Sequence, residues 1–215
     1  MKLLAVCVGL PIEVEHDGKT VSTGIFKKPV AGRVMLRRGN LDGDRQADLE
    51  NHGGEFKAAY AYPHEHYPFW QEQLGRNDFT WSQFGENFTV EGFIEESVLI
   101  GDVYRIGGAV VQVTQPRQPC FKLGIKMADP AFPRKFLASG KLGFYLRVVQ
   151  EGEVGAGDPI KLVLRGKNGI SVRRVWELVY GGIKSPEEAL RAAEIELLSA
   201  SWRKALAKLA ASDPD

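Results

Sequence analysis

The chain has 215 residues, 44% of them hydrophobic and 26% charged, and its 28 basic and 27 acidic residues leave a net charge of +1. That is the composition of a soluble globular protein, with room for one large core or a domain plus an appendage. Balanced charge argues against a nucleic-acid polymer as partner, and no apolar run approaches the ~18 residues of a membrane span. Two cysteines are too few for a disulfide scaffold, which makes the cytoplasm the default location.

The opening Met1 to Pro11 carries one positive charge and a short apolar run. It reads as a buried first strand, Leu3 to Val8, because Glu13 and Glu15 follow and no small-x-small cleavage site precedes them. Thr20 to Val30 is expected to be a strand that Pro29 limits to an edge or bend. Val34 to Leu36 is another, followed by the turn Leu41-Asp42-Gly43-Asp44. Tyr62 to Leu74 predicts a helix, with Pro63 in the first turn and Tyr67, Trp70 and Leu74 at helical spacing. Phe84 to Val90 and Val98 to Ile100 read as short strands. Ala109 to Thr114 and Phe144 to Val149 carry the strongest strand pattern, and Pro159 to Leu164 closes the series. Asp102 and Asp158 sit in similar Gly-Asp turns entering strands, where each carboxylate is expected to bond nearby amides.

Many short strands at close spacing predict a mainly β fold, a barrel with one packed helix. After Arg165 the pattern turns helical. Ser171 to Tyr180 puts Val172, Val175, Trp176 and Val179 on one face and stops at Gly181-Gly182. Ser185-Pro186-Glu187-Glu188 is a capped helix start, and a last helix begins at Ser199 or Ser201 and runs through Trp202, Leu206 and Leu209. The chain therefore divides into a β-barrel domain, residues 1–165, and a three-helix domain, 166–215. The second is near the size limit for independent stability, so it is expected to dock on the barrel or on a partner chain, and its apolar face suits a homodimer.

Cys120 is the residue with the clearest chemical promise. It stands in Gln115-Pro116-Arg117-Gln118-Pro119-Cys120-Phe121-Lys122-Leu123, where two prolines fix the backbone and remove two amide donors. Arg117 and Lys122 favour a thiolate. By local chemistry alone a reactive thiol and a small buried hydrophobe stand equal. Cys7, among Leu4, Val6 and Val8, reads as core. His52-Gly53-Gly54 offers a closely approachable backbone beside a titratable ring, and His52 could deliver protons or bond a turn carbonyl. His64 and His66 are two residues apart, unlike helical zinc ligands, and neither a phosphate-binding glycine loop nor a nucleophile elbow is present.

The Cys120 segment resembles the signature of the MOSC family, the domain named for the C-terminus of molybdenum-cofactor sulfurases. Thr23 to Val30, Gly43 to Asp48, His52 to Gly54, Phe84 to Thr89 and Tyr62 to Trp70 agree in order and spacing, and the terminal helices resemble the three-helix extension of the YiiM-like branch. The resemblance implies a β-barrel with a cationic pocket for a molybdopterin-type molybdenum cofactor, with Cys120 as thiolate ligand to the metal. It further implies an oxidoreductase acting on small N-hydroxylated compounds, such as N-hydroxylated purine bases, with electrons from a separate donor protein.

On that reading Lys27, Arg117 and Lys122, with Arg33 and Lys57, would meet the anionic groups of the cofactor. Glu86, Asn87 and Gln118 would bond its polar edge, and His52 would supply protons. One position departs from the family: Phe56 stands where an acidic residue is usual. The competing expectation is a sulfur or molybdenum-cofactor carrier without redox turnover, with Cys120 holding sulfur as a persulfide.

Overall fold

The computed structural model describes residues 1–47 and 53–211. Twelve strands are formed among them: β1 (Lys2–Val8), β2 (Ile12–His16), β3 (Lys19–Thr23), β4 (Lys28–Pro29), β5 (Arg33–Leu36), β6 (Ala59–Pro63), β7 (Phe88–Glu91), β8 (Val103–Ile106), β9 (Ala109–Pro116), β10 (Phe144–Gln150), β11 (Gly152–Gly155) and β12 (Ile160–Leu164). Eight of them make one sheet in the order β12-β8-β9-β10-β6-β7-β1-β4, antiparallel except for the parallel pair β6 and β7. The apolar strands fall in the middle: β6 is buried at every position and β9 at all but one, as strands covered on both faces must be.

The barrel expected from the sequence is not closed by a strand ladder. Among the described residues the two flanks of the sheet meet through the bridge of Lys2 with Pro159, with Leu3 N donating to Asp158 O, Gly157 N to Leu3 O and Ile160 N to Met1 O. Helix and strand content are nearly equal, so the fold is sheet-dominated but not mainly β.

The region read as one strand from Thr20 to Val30 is instead the second arm of a hairpin plus the short β4. Its turn is Asp17-Gly18, with φ of 50° and 71°, the left-handed pair that a tight two-residue hairpin demands. Residues 62–66 also differ from expectation. Tyr62 and Pro63 end β6, a single 3-10 turn spans His64–His66, and α1 (Tyr67–Leu74) begins with Pro68 in its first turn. Of the residues expected to start a strand at Phe84, those before Phe88 form a turn.

Two helices escaped the periodicity, α2 (Phe121–Met127) and α3 (Phe132–Ser139). The terminal helices are α4 (Val172–Tyr180), α5 (Pro186–Ala193) and α6 (Ala200–Ala210), and Ser171 caps α4 by accepting from Arg174 N at 3.0 Å.

The core has two parts. One runs from the sheet (Val113, Phe88, Phe144) into the terminal helices (Val175, Leu178, Trp202, Leu206). Val175 and Trp176 are therefore covered by their own chain, and the apolar face they share gives no reason to invoke a second copy. The other part is an aromatic cluster in which Tyr62, Trp70, Phe84, Phe132 and Phe136 fasten α1 and α3 beneath one end of the sheet. Each such ring contributes roughly 1.5–3 kcal/mol on burial, so the wall behind the site described next is firmly anchored.

Candidate active site

β9 ends at Pro116, and the chain leaves the sheet through Arg117, Gln118 and Pro119 to reach Cys120, the residue that caps α2. Pro119 cannot extend a ladder and fixes its own φ, so the strand must end here and the thiol is presented at a helix start. Cys120 is half-buried and lines a cleft of about 610 Å³, its open mouth included. Glycines form part of the opposite wall. A Cβ at Gly24 would lie 2.4 Å from Arg45 O, and one at Gly85 would strike the Ile25 side chain. Both line the cleft, and their missing Cβ lets its wall loops pack this closely against one another.

The cleft is strongly cationic. Lys27, Arg45, Lys57, Arg117 and Lys122 line it against one carboxylate, Asp44, among the described residues. A net charge of +1 over the whole chain thus conceals a formal +4 at this one place. Low-dielectric walls focus such a field and favour anions.

Arg117 is buried, with its guanidinium 4.5 Å from the centre of the Tyr60 ring, and donates to Phe84 O at 2.8 Å and to the Tyr60 hydroxyl at 3.2 Å. Burial works against its charge, but Tyr60, Tyr145 and Cys120 around it more than compensate and hold its pKa above the ordinary value. Lys57 sits 5.8 Å from the centre of the Tyr145 ring. Lys27 pairs with Asp44 at 2.5 Å, both side chains nearly covered. Asp44 also accepts from Gly9 N and from Asn87 Nδ2, each at 2.9 Å. Asn87 in turn accepts from Tyr60 N and donates to Cys7 O, so it ties β6 and β1 to the Lys27 pair as well as facing the cleft.

Of the residues proposed from sequence, Lys27, Lys57, Asn87, Arg117, Cys120 and Lys122 come together here. Three others stand elsewhere. Arg33 makes a two-pronged ion pair with Asp158, outside the cleft lining, because its strand β5 pairs with β11 in a separate two-stranded sheet. Glu86 points behind the wall, where it accepts from Phe84 N, Thr89 Oγ1 and the Tyr67 hydroxyl. Gln118 turns outward and accepts from Ser201 Oγ at 2.8 Å. His52 lies outside the described residues. Phe56 packs under Arg147, 5.7 Å from ring centre to guanidinium, and its presence does not keep neighbouring Lys57 out of the cleft.

The sequence reading missed Lys126. It lies half-buried directly behind the cleft, donating to Ile25 O at 2.9 Å and Ser82 O at 2.6 Å, and so ties together the two loops that carry Gly24 and Gly85. Burial lowers its pKa to about 8. Its position four residues after Lys122 on one helix was visible, but which side faced inward depends on a helix not foreseen. Cys7 is fully buried, and desolvation pushes its thiol up to about 12, as befits a core residue. His66 is spoken for by Glu95 at 2.8 Å, and no metal-holding group of His, Cys, Asp and Glu occurs among the described residues.

Residues 48–161 match the model of the MOSC domain, and residues 170–212 match that of the YiiM-like 3-alpha helix domain. The chain belongs to the MOSC family. Within the family it is 47% identical to the uncharacterized protein YflK of Bacillus subtilis over 96% of this chain and 93% of that one. It is 32% identical to the protein YiiM of Escherichia coli, covering 92% and 88% of the two. The solved structure of YiiM from Geobacillus stearothermophilus superposes with a TM-score of 0.79 at 38% identity, over 98% of this chain and 99% of that one. A protein named reductase from Gibberella moniliformis is 32% identical over 75% of this chain, which spans 29% of its length. The MOSC match begins just before the cleft's Lys57 and runs past Cys120 to β12, and the second match covers α4 to α6. No helix among the described residues is long and apolar enough to cross a membrane.

Proposed function

We propose that this MOSC protein is a reductase of small N-hydroxylated compounds that works with a molybdopterin-type cofactor held in the Cys120 cleft. The observation that carries the reading is the donor set: one half-buried sulfur among five cations and one carboxylate. An anionic cofactor with a thiophilic metal needs both, a soft sulfur for the metal and a positive field for the phosphate. The residues present fit that group. Cys120 would hold the metal, while Arg117, Lys57 and Lys122 would face the anionic portion and the bare backbone at Gly24 and Gly85 would allow the polar edge to approach.

When bound, such a cofactor supplies the two-electron redox chemistry that the side chains here lack. The overall change converts an N-hydroxyl compound to the amine and water, consuming two electrons and two protons. A separate donor protein would supply the electrons. The chain's own work is positional. Arg117 is immobilised by Tyr60 and Phe84 and so holds its charge at a fixed point, which is the condition for electrostatic preorganisation. Lys27 is neutralised by Asp44, and its role is to hold Gly9, Asp44 and Asn87 in register more than to bind an anion.

Expression in a host that makes the cofactor, followed by elemental analysis, is expected to find molybdenum near one per chain, and Cys120→Ala is expected to lose it together with reductase activity. Retention of both metal and activity by Cys120→Ala would overturn the assignment. A labile extra sulfur on Cys120 without molybdenum would point instead to a carrier.

A further inference from the structure

The terminal helices do more than cover the sheet. Trp202, the third residue of α6 and 1% exposed, donates its indole N–H to Pro116 O at 3.0 Å. The same turn of helix holds two more bonds to this segment. Ser199 N donates to Gln115 Oε1 at 3.0 Å, and Ser201 Oγ donates to Gln118 Oε1 at 2.8 Å. A second indole does the same beyond Cys120: Trp176 of α4 donates to Leu137 O of α3 at 2.8 Å. The two tryptophans thus grip the chain at residues 116 and 137, on either side of the thiol.

Between these grips the Cys120 loop has few backbone donors of its own, since Pro116 and Pro119 have none. On the cleft side it is held by Arg117, through its N–H to Gly143 O at 3.1 Å and its guanidinium to Phe84 O. On the outer side it is held by α6. Of the outer bonds, the Trp202 one weighs most. It is buried, and its loss leaves a carbonyl without its donor, whereas the exposed Ser201 bond competes with water.

We propose that Trp202 and Trp176 are positioning residues that clasp the Cys120 segment from outside, making the three-helix module a working part of the site. Its functional weight rests on Cys120 being the working thiol. The clasp itself is a property of the polypeptide and is testable without any cofactor.

The test uses the full chain carrying Trp202→Phe, which keeps the ring in the core and removes only the N–H. Two quantities are read at a temperature where circular dichroism shows the variant folded: the rate of Cys120 alkylation by iodoacetamide, located by mass spectrometry, and hydrogen exchange peptide by peptide. Loss of one buried hydrogen bond is expected to raise the population of the displaced loop about fivefold, with alkylation rising in proportion. Exchange is expected to quicken over residues 117–123 and to stay unchanged in β1 and β7. An unchanged alkylation rate, or exchange rising equally in β1 and β7, would overturn the clasp. If Trp202→Phe does not fold, Trp176→Phe tests the other grip by the same alkylation rate, with exchange expected to quicken over α3 around Leu137 and an unchanged alkylation rate overturning the clasp. Neither readout involves molybdenum. A wild-type protein without the metal would count against the reductase reading and leave the clasp standing, while unaltered alkylation would do the reverse.

Discussion

Arg117 sits over Tyr60, 4.5 Å from ring centre to guanidinium, with a hydrogen bond to the Tyr60 hydroxyl at 3.2 Å. The pair joins the loop after β9 to the central strand β6 and fixes a positive charge at the floor of the cleft. A lysine cannot reproduce this, because a compact ammonium on a flexible stem does not pack over a ring as the planar guanidinium does, and both hydrogen bonds depend on where that group places Nη1. Arg117→Lys is therefore expected to be a disruptive change despite conserving charge. Phe84 O would lose its buried donor, at a cost of about 1–3 kcal/mol in urea unfolding. Bound molybdenum should fall as well, and full stability with full loading would count against the role given to the pair.

The Lys27–Asp44 pair makes a contrasting prediction. Asp44 is 2% exposed, and removing its cation leaves a buried carboxylate supported, among the described residues, by Gly9 N and Asn87 Nδ2. Lys27→Met should then destabilise by about 3–5 kcal/mol, the usual consequence of stranding one member of a buried pair. Lys27→Met with Asp44→Asn removes the stranded charge, so the double variant should be more stable than the sum of the single losses predicts. A double-mutant cycle by urea unfolding reads the coupling directly. Additive losses would mean that the two charges do not act as a pair.

How much of this was legible beforehand depended on whether the signal was local. The helix from Ser171 to Tyr180, the helix starting after Ser185, and the strands β9 and β10 are written in residues a few positions apart, and they formed as expected, although Ser171 makes a side-chain cap bond and Ser185 makes none. The β2–β3 hairpin was equally local, marked by Asp17-Gly18 between alternating residues, and was overlooked for want of weighing that dipeptide. The position of Arg33 could not be read this way. Its ion pair with Asp158 spans 125 positions and follows from the pairing of β5 with β11. The same holds for Gln118, whose partner Ser201 belongs to a helix that only tertiary packing brings near. Clustering of Lys27, Lys57, Asn87, Arg117 and Lys122 around Cys120 came from family resemblance, because charge counts say nothing about where charges meet.

Gly24 supplies a steric test of the cleft wall. An alanine there would set its Cβ 2.4 Å from Arg45 O, a backbone atom with no rotamer by which to move aside. The loop around Arg45 must shift, so Gly24→Ala is expected to cost about 1–3 kcal/mol, as overpacked sites do, and to reduce bound molybdenum. Gly39 has open space around its Cβ position and an ordinary φ, which makes Gly39→Ala the control. It should stay within about 0.5 kcal/mol of the parent protein in the same unfolding assay. Equal behaviour of the two variants would show that the close approach at Gly24 has no consequence.

Two desolvated groups near the cleft should give opposite pH signatures. Lys126 releases its proton near pH 8 in the folded chain and near its ordinary 10.5 when unfolded. Between those values the unfolded chain binds more protons, so stability from this group rises with pH, by about 1 kcal/mol between pH 8 and 9. Cys7 behaves conversely. Its folded pKa is raised from 9.0 to about 12, so its contribution is complete below pH 9 and is lost as pH climbs toward 12. Stability should therefore increase from pH 8 to 9 and level off above it, where the two slopes cancel. Cys7→Ala should let the rise continue past pH 9. Lys126→Met should abolish it, and should also lower stability at every pH, because the Ile25 and Ser82 carbonyls lose their donor. Urea unfolding of the three proteins from pH 7 to 10 tests both limbs; a rise that survives in Lys126→Met would assign it to another group.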